Sequence, residues 1–255
     1  MAAMNLGEQT GHSVVGHARW VRFSHWILAA SVLTLAFSGF VILMAHPRLY
    51  WGQIGNDLTP ALAELPISRN YKHGGWAAPV TFIPGARPVV SAARTYDIFN
   101  ENAWARSLHF LAAWFLVITG IAYLVAGLAS KHLWRHLVPR LGEIKPRLLW
   151  HDVVTHLRLP MPAATGGPPY GILQKLAYSG VIFIALPLTI LTGLTMAPAV
   201  TAALPALLDL FGGSQSARTI HFFAFAALVL FLVIHVVMVV LTGFTRQIRA
   251  MTVGN

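Results

Sequence analysis

The chain has 255 residues, of which 56% are hydrophobic and 10% charged, with a formal net charge of +10 and no cysteine. Soluble domains carry roughly a quarter charged residues, so an ordinary soluble fold is excluded. The lack of cysteine excludes disulfides, thiolate-held iron–sulfur clusters and the C-x-x-C-H attachment of a c-type haem. The basic residues flank apolar stretches instead of forming one patch with interleaved aromatics, which speaks for membrane lipid and against nucleic acid as a partner.

Four stretches lack Lys, Arg, Asp and Glu for the roughly 20 residues that a bilayer requires: 23–44, 107–130, 176–197 and 219–245. They predict an all-α integral membrane protein, a four-helix transmembrane bundle over 23–245. A segment of 1–22 precedes it and a tail of 246–255 follows. The first stretch is too long and too late for a cleaved signal peptide, and no small-x-small site follows it, so it reads as a retained span. Loop 45–106 is rich in Pro, Gly and aromatics ("PRLYWGQIGN", "YKHGGWAAPVTFIPGARP") and predicts turns and short interfacial pieces, a platform on which a partner could dock. Loop 131–175 contains "KHLWRHLVPRLGEIKPRLLWHDVVTHLRLP", which reads as an extension of helix two and then a short amphipathic helix, closed by "MPAATGGPPYG". Pro187 predicts a kink in helix three.

Orientation follows from the basic residues beside the spans. Arg19 and Arg22, then Lys131, Arg135, Arg140, Lys145, Arg147, Arg158 and Lys175, then Arg246 and Arg249 place both termini and loop 131–175 in the cytoplasm. Loop 45–106 mixes six basic with four acidic residues and falls outside, as does the short loop before helix four with Asp209 and Arg218. The expected location is a bacterial inner membrane.

Ionisable residues within a span are costly and mark candidate sites. His25 lies in helix one, His109 in helix two, and His221 and His235 in helix four; helix three has none. On helix four the two are 14 residues apart, nearly four whole turns, so both face one way about 21 Å apart along the axis. That separation rules out a single metal ion bound by both, and with it a zinc or copper site built on this set. Helices two and four both begin outside, which sets His109 level with His221. Helix one begins inside, which sets His25 level with His235. Two bis-His sites at two depths are the arrangement expected of two b-type haems in a four-helix bundle.

A phrase is written twice around these ligands: "ARSLHF" at 105–110 and "ARTIHF" at 217–222, with a looser "VRFSHW" at 21–26. Each puts an Arg three residues before its His, on the same helix face and one turn nearer the surface. Arg106, Arg218 and Arg22 are therefore candidates for the haem propionates, through paired charge-assisted hydrogen bonds; plain interfacial anchoring also fits them. Gly39 and Gly127 would each face the other haem's level, leaving room for a flat macrocycle or simply for close helix packing. Second-shell hydrogen bonds to the His ligands could come from Ser24 or Thr219. His132, His136, His151 and His156 read as surface residues, and His12, His17, His46 and His73 belong to no constellation.

With that pattern, most of the chain resembles the di-haem cytochrome b subunits that anchor respiratory oxidoreductases: the formate dehydrogenase gamma subunit, nickel–iron hydrogenase cytochrome b, thiosulfate reductase cytochrome b and bacterial cytochrome b561-like proteins. The resemblance implies axial ligation by His25, His109, His221 and His235. Members with a quinone site carry Tyr-Asn-x-x-Gln-Lys where the inner loop enters helix three. The matching "YGILQK" implies quinone contacts from Tyr170, Gln174 and Lys175, with Gly171 standing where Asn is usual. The phrases "HPRLYWGQIGN" and "LDLFGGSQSARTIHF" are similar to members that accompany an exported molybdopterin oxidoreductase. The implied function is electron transfer between the quinone pool and a periplasmic molybdopterin-type subunit. Two rivals remain: a self-contained quinone-coupled oxidoreductase acting on a small molecule such as superoxide, and a transporter or channel using His as proton relays.

Overall fold

A computed structural model describes residues 18–56, 59–67, 102–139, 141–157 and 171–254. Among them are four helices long and apolar enough to cross a membrane: Arg19–Ala45, Trp104–Ala129, Ile172–Leu194 and Ser214–Leu241. The second begins at Asn102.

Small residues set the packing of the first two spans. Ser24, Ser31, Ser38 and Ala45 recur every seventh residue and are buried, and the second span answers with buried Ala105 and Ala112. Where lipid tails are as apolar as leucine, such a seam lets backbones approach and gain dispersion contact. The serine hydroxyls are satisfied within the helix, donating to the carbonyls of Trp20, Ile27 and Thr34 at 2.8, 2.8 and 2.7 Å. The third and fourth spans form a second antiparallel pair. Close backbone packing runs within each pair and hardly at all between the two, so side chains meet across a slot between two helical hairpins.

The third span is interrupted. Ile172–Gly180 passes into a π turn, Val181–Ala185, before Leu186–Leu194 resumes. The i→i+5 turn lies directly ahead of Pro187 and absorbs the irregularity that a residue without an N–H imposes. The second span stops at Ala129 instead of extending inward: Lys131 takes a left-handed φ of 57°, and the chain turns into a π segment, Leu133–Leu137. Leu133 is fully buried. The amphipathic helix of the inner loop is Pro146–Leu157.

At the end of the bundle expected to lie outside, Arg48–Leu49 pairs antiparallel with Ala63–Glu64, and the segment beginning there is laced along the start of the fourth span. Gly52 N–H donates to Ser216 Oγ at 2.7 Å, Thr219 Oγ1 donates to the Tyr50 carbonyl at 2.6 Å, and Arg218 donates to the His46 carbonyl. Gly213, at φ 115°, lies so close to this strand that a Cβ would sit 2.6 Å from the Gly52 oxygen. On the inner side Gly243, at φ 106°, ends the fourth span, and Phe244–Thr252 folds back beneath the first. Trp26 Nε1 donates to the Met251 carbonyl at 2.9 Å, and Arg22 to that of Thr252 at 3.1 Å.

Candidate functional site

The four span histidines project into the slot and meet in two pairs. The rings of His109 and His221 have centroids 6.3 Å apart and planes at 61°. Those of His25 and His235 are also 6.3 Å apart, with planes at 53°. Two imidazole nitrogens on opposite sides of one metal ion, each about 2.0–2.1 Å from it with its ring centre roughly 1.1 Å behind, give centroids about 6.3 Å apart. Both pairs therefore leave room for one metal ion that the two imidazoles would hold between them. Among the described residues no three His, Asp or Glu side chains converge, so each pair stands as a two-ligand site, the donor set of a bis-His haem and not of zinc.

The outer pair is held by two matching half-sites. Ser38 Oγ lies 3.0 Å from His109 Nδ1, and Thr192 Oγ1 lies 3.0 Å from His221 Nδ1. The next residue in each case is glycine. A Cβ on Gly39 would be 3.3 Å from His109 Cε1, and one on Gly193 would be 3.3 Å from His221 Cε1. Each ring thus sets its Cε1–Nδ1 edge against a helix where a side chain is missing, a cradle that larger residues would fill.

These partners differ from the sequence expectation. Ser24 donates to carbonyls of its own helix and Thr219 to Tyr50, while the hydroxyls that meet a histidine ring are those of Ser38 and Thr192. Ser38, Thr192 and Gly193 were missed, although "FSGF" and "LTGL" repeat a hydroxyl-glycine step that pairs with the repeated Arg-x-x-His. Gly39 stands at the outer His level. Gly127 does not serve the inner pair: its missing side chain accommodates Leu133, whose Cγ would be 2.8 Å from an added Cβ. The straight inward extension expected of helix two would have left that glycine open; the turn at Lys131 brings Leu133 back over it.

The arginines divide. Arg106 is exposed on the second span beside His109. The Arg218 guanidinium is turned to the His46 carbonyl and the Gln215 side chain. That of Arg22 is turned to Thr252, while its Nε is buried without a hydrogen-bond partner.

At the inner end Gln174 and Lys175 are already engaged. Gln174 Oε1 accepts from Gly171 N–H at 3.2 Å, a capping contact, and Lys175 Nζ is 2.9 Å from Glu143. Asp152 accepts from Leu173 N–H at 2.9 Å, and its carboxylate oxygen is 3.0 Å from where a Gly171 Cβ would be. The departure at Gly171 is thus matched by a carboxylate entering from the inner loop. Tyr170 lies outside the described residues. One helical turn above Lys175, Tyr178 sets its ring edge-on to His235, centroids 6.5 Å apart. Sequence reasoning passed over it, although a Tyr at i+3 and i+4 from the Lys and Gln shares their face. His132 packs edge-on against Trp20, which also meets Tyr123.

A slot between two apolar hairpins, bridged at two levels by facing imidazoles, defines a membrane cytochrome of the b type. The chain belongs to the prokaryotic cytochrome b561 family, whose model matches residues 16–254. It is a multi-pass bacterial membrane protein, and membership implies haem b as the bound group, which the paired histidines fit. The putative protein-methionine-sulfoxide reductase subunit YedZ1 of Azospira oryzae (strain ATCC BAA-33 / DSM 13638 / PS) is 28% identical over 239 residues, 94% of this chain and 96% of the relative. No solved structure matches the chain.

Proposed function

We propose that this chain is the di-haem membrane subunit that passes electrons between the quinone pool and a soluble oxidoreductase docked on its outer face. The observation that carries the reading is the pair of facing imidazole pairs, each with centroids 6.3 Å apart. His109 and His221 would hold the outer haem, and His25 and His235 the inner one. Bound there, haem b supplies reversible one-electron transfer. The chain's own residues fix where that happens. The 14-residue step from His221 to His235 sets the two levels about 21 Å apart along the helix axis, and the two hairpins keep water out of the space between. Arg106 and Arg218 stand at the outer mouth and Arg22 at the inner, where each could reorient to meet a carboxylate.

Quinone would bind at the inner end, where Tyr178 faces His235 and where Gln174 and Lys175 shape the entrance through their contacts with Gly171 and Glu143. The partner would be a molybdopterin-type enzyme on the periplasmic side. This is supported by the YedZ1 relative, named as a subunit of a protein-methionine-sulfoxide reductase, and by the outer strand laced onto the fourth span as a fixed platform. Positive-inside asymmetry sets both termini in the cytoplasm.

Reduced-minus-oxidised spectra and a haemochrome assay on the purified chain test the reading. Two haems per chain are expected, falling to one in both His221→Ala and His235→Ala, with a different band lost in each. A protein without a b-type Soret and alpha band would be a transporter or channel. Quinone-coupled turnover of a small molecule by the isolated chain would point to a self-contained oxidoreductase.

A further inference from the structure

The two hydroxyls at the outer site decide which nitrogen of each imidazole carries the proton. A serine or threonine hydroxyl has one proton to donate. Ser38 directs its proton to the Thr34 carbonyl at 2.7 Å, and Thr192 directs its own to the Leu188 carbonyl at 2.6 Å. Both are the strong back-bonds of a hydroxyl to its own helix. Each oxygen is then an acceptor towards the imidazole 3.0 Å away, so the shared hydrogen runs from His Nδ1–H to the hydroxyl oxygen. That arrangement would leave both rings with Nδ1 protonated and Nε2 bare. Gly39 and Gly193, each against Cε1, hold them in that plane.

We propose that Ser38 and Thr192 are an equivalent pair of positioning residues that lock the outer histidines in the metal-binding tautomer and lower the reduction potential of the outer haem specifically. This rests on the di-haem reading. A hydrogen bond accepted from Nδ1–H leaves more electron density on Nε2, a more basic ligand that favours the oxidised iron. The phrase that builds each half-site spans two helices: a hydroxyl-glycine step on one span receives the Arg-x-x-His of the next. The two copies agree in all three contacts with the ring, at 3.0 Å to Nδ1 from the hydroxyl, and at 3.3 and 3.7 Å from the glycine position to Cε1 and Nδ1.

The test is redox titration of the detergent-purified holoprotein, with haem stoichiometry measured alongside and the outer haem identified by its loss in His221→Ala. Ser38→Ala and Thr192→Val should each keep two haems and shift the outer redox equilibrium about threefold towards the reduced form, roughly 28 mV at 59 mV per tenfold for one electron. The inner potential should not move, and the two shifts should be alike and combine in the double variant. Ser38→Thr and Thr192→Ser keep the hydroxyl and should titrate as wild type, including where the Ala or Val variant loses the outer haem altogether. An unchanged outer potential in both Ser38→Ala and Thr192→Val, an equal shift of both haems, or Thr and Ser replacements that behave like Ala and Val would overturn the proposal. Absence of haem from the wild-type protein would instead overturn the di-haem reading beneath it.

Discussion

Replacing Gly39 or Gly193 by valine tests whether the imidazoles are confined as the geometry says. An added Cβ alone would stand 3.3 Å from Cε1 of His109 or His221, tighter than ordinary contact, so alanine asks the ring to yield by a few tenths of an ångström. Valine adds two further methyl carbons on that Cβ, and the ring faces the other histidine of the outer pair across the slot, centroids 6.3 Å away. Overpacking a filled site costs about 1–3 kcal/mol, and each 1.4 kcal/mol is about tenfold in affinity. The valine variants should therefore bind the outer haem about 5- to 140-fold more weakly and be isolated with close to one haem per chain, while the alanine variants keep both. Gly127→Val is the control: it meets Leu133, and should lower thermal stability with both haems retained. Haemochrome stoichiometry on detergent-purified protein reads all of these. Two haems with wild-type spectra in both valine variants would refute the argument, because rings free to swing aside are not held by their glycines.

Other perturbations have unequal outcomes that the structure sets. Lys175 is 11% exposed and Glu143 39%, so Glu143→Gln strands a nearly buried ammonium and should destabilise by about 1–3 kcal/mol. Lys175→Met leaves a carboxylate that water can reach and should change stability by less than about 1 kcal/mol; thermal melts of the two variants check the order. Thr219→Val leaves the Tyr50 carbonyl without its 2.6 Å donor, an expected loss of about 1 kcal/mol visible as faster proteolysis of the outer loop at unchanged haem content. Truncation after Gly243 removes the carbonyls that hold Trp26 and Arg22. It should shift the Trp26 fluorescence and move the inner haem potential, as the Arg22 guanidinium turns towards His25 one helical turn away, leaving the outer potential in place.

The spans and the four histidines were legible because both rest on local, one-dimensional signals. Unbroken apolar length marks a membrane helix whatever it packs against, and the 14-residue step on the fourth span fixes a face and a depth without reference to any other helix. Which helix meets which ligand is not local. Ser24 and Ser38 are both span serines near a histidine level and both donate to their own helix; only the rotation of the first span against the second decides that Ser38 also meets His109. Gly127 failed for a related reason, since its role depends on the turn at Lys131, where a non-glycine residue takes φ 57° and returns Leu133 to the helix. Lys175 and Gln174 were legible as a phrase. Their engagement by Glu143 and Gly171 depends on how the inner loop folds.

The two levels of the slot differ in symmetry, and that difference bears on what each can do. The outer pair joins equivalent positions of the two hairpins, His109 and His221, each backed by a hydroxyl and a glycine of the preceding span. Counted by the same offsets in sequence, before the register shift of the π turn on the third span, His25 on the first span corresponds to Ser179 on the third, and His235 on the fourth corresponds to Tyr123 on the second. Neither counterpart is a ligand: Ser179 donates to the Leu137 carbonyl of the inner loop, and Tyr123 packs against Trp20. The inner pair is therefore built across the repeat, with Tyr178 and Phe231 against His235 and Trp26 edge-on to His25. A symmetric outer site presents the same surroundings to both ligands and suits simple electron transfer to a docked protein. On the proposed reading, the inner site, with Tyr178 and Phe231 against His235 beside the Gln174 and Lys175 entrance, would have a distinct side for a lipophilic redox partner. Substrate chemistry would then fall at the inner level, where the repeat is broken, and relay at the outer, where it is kept.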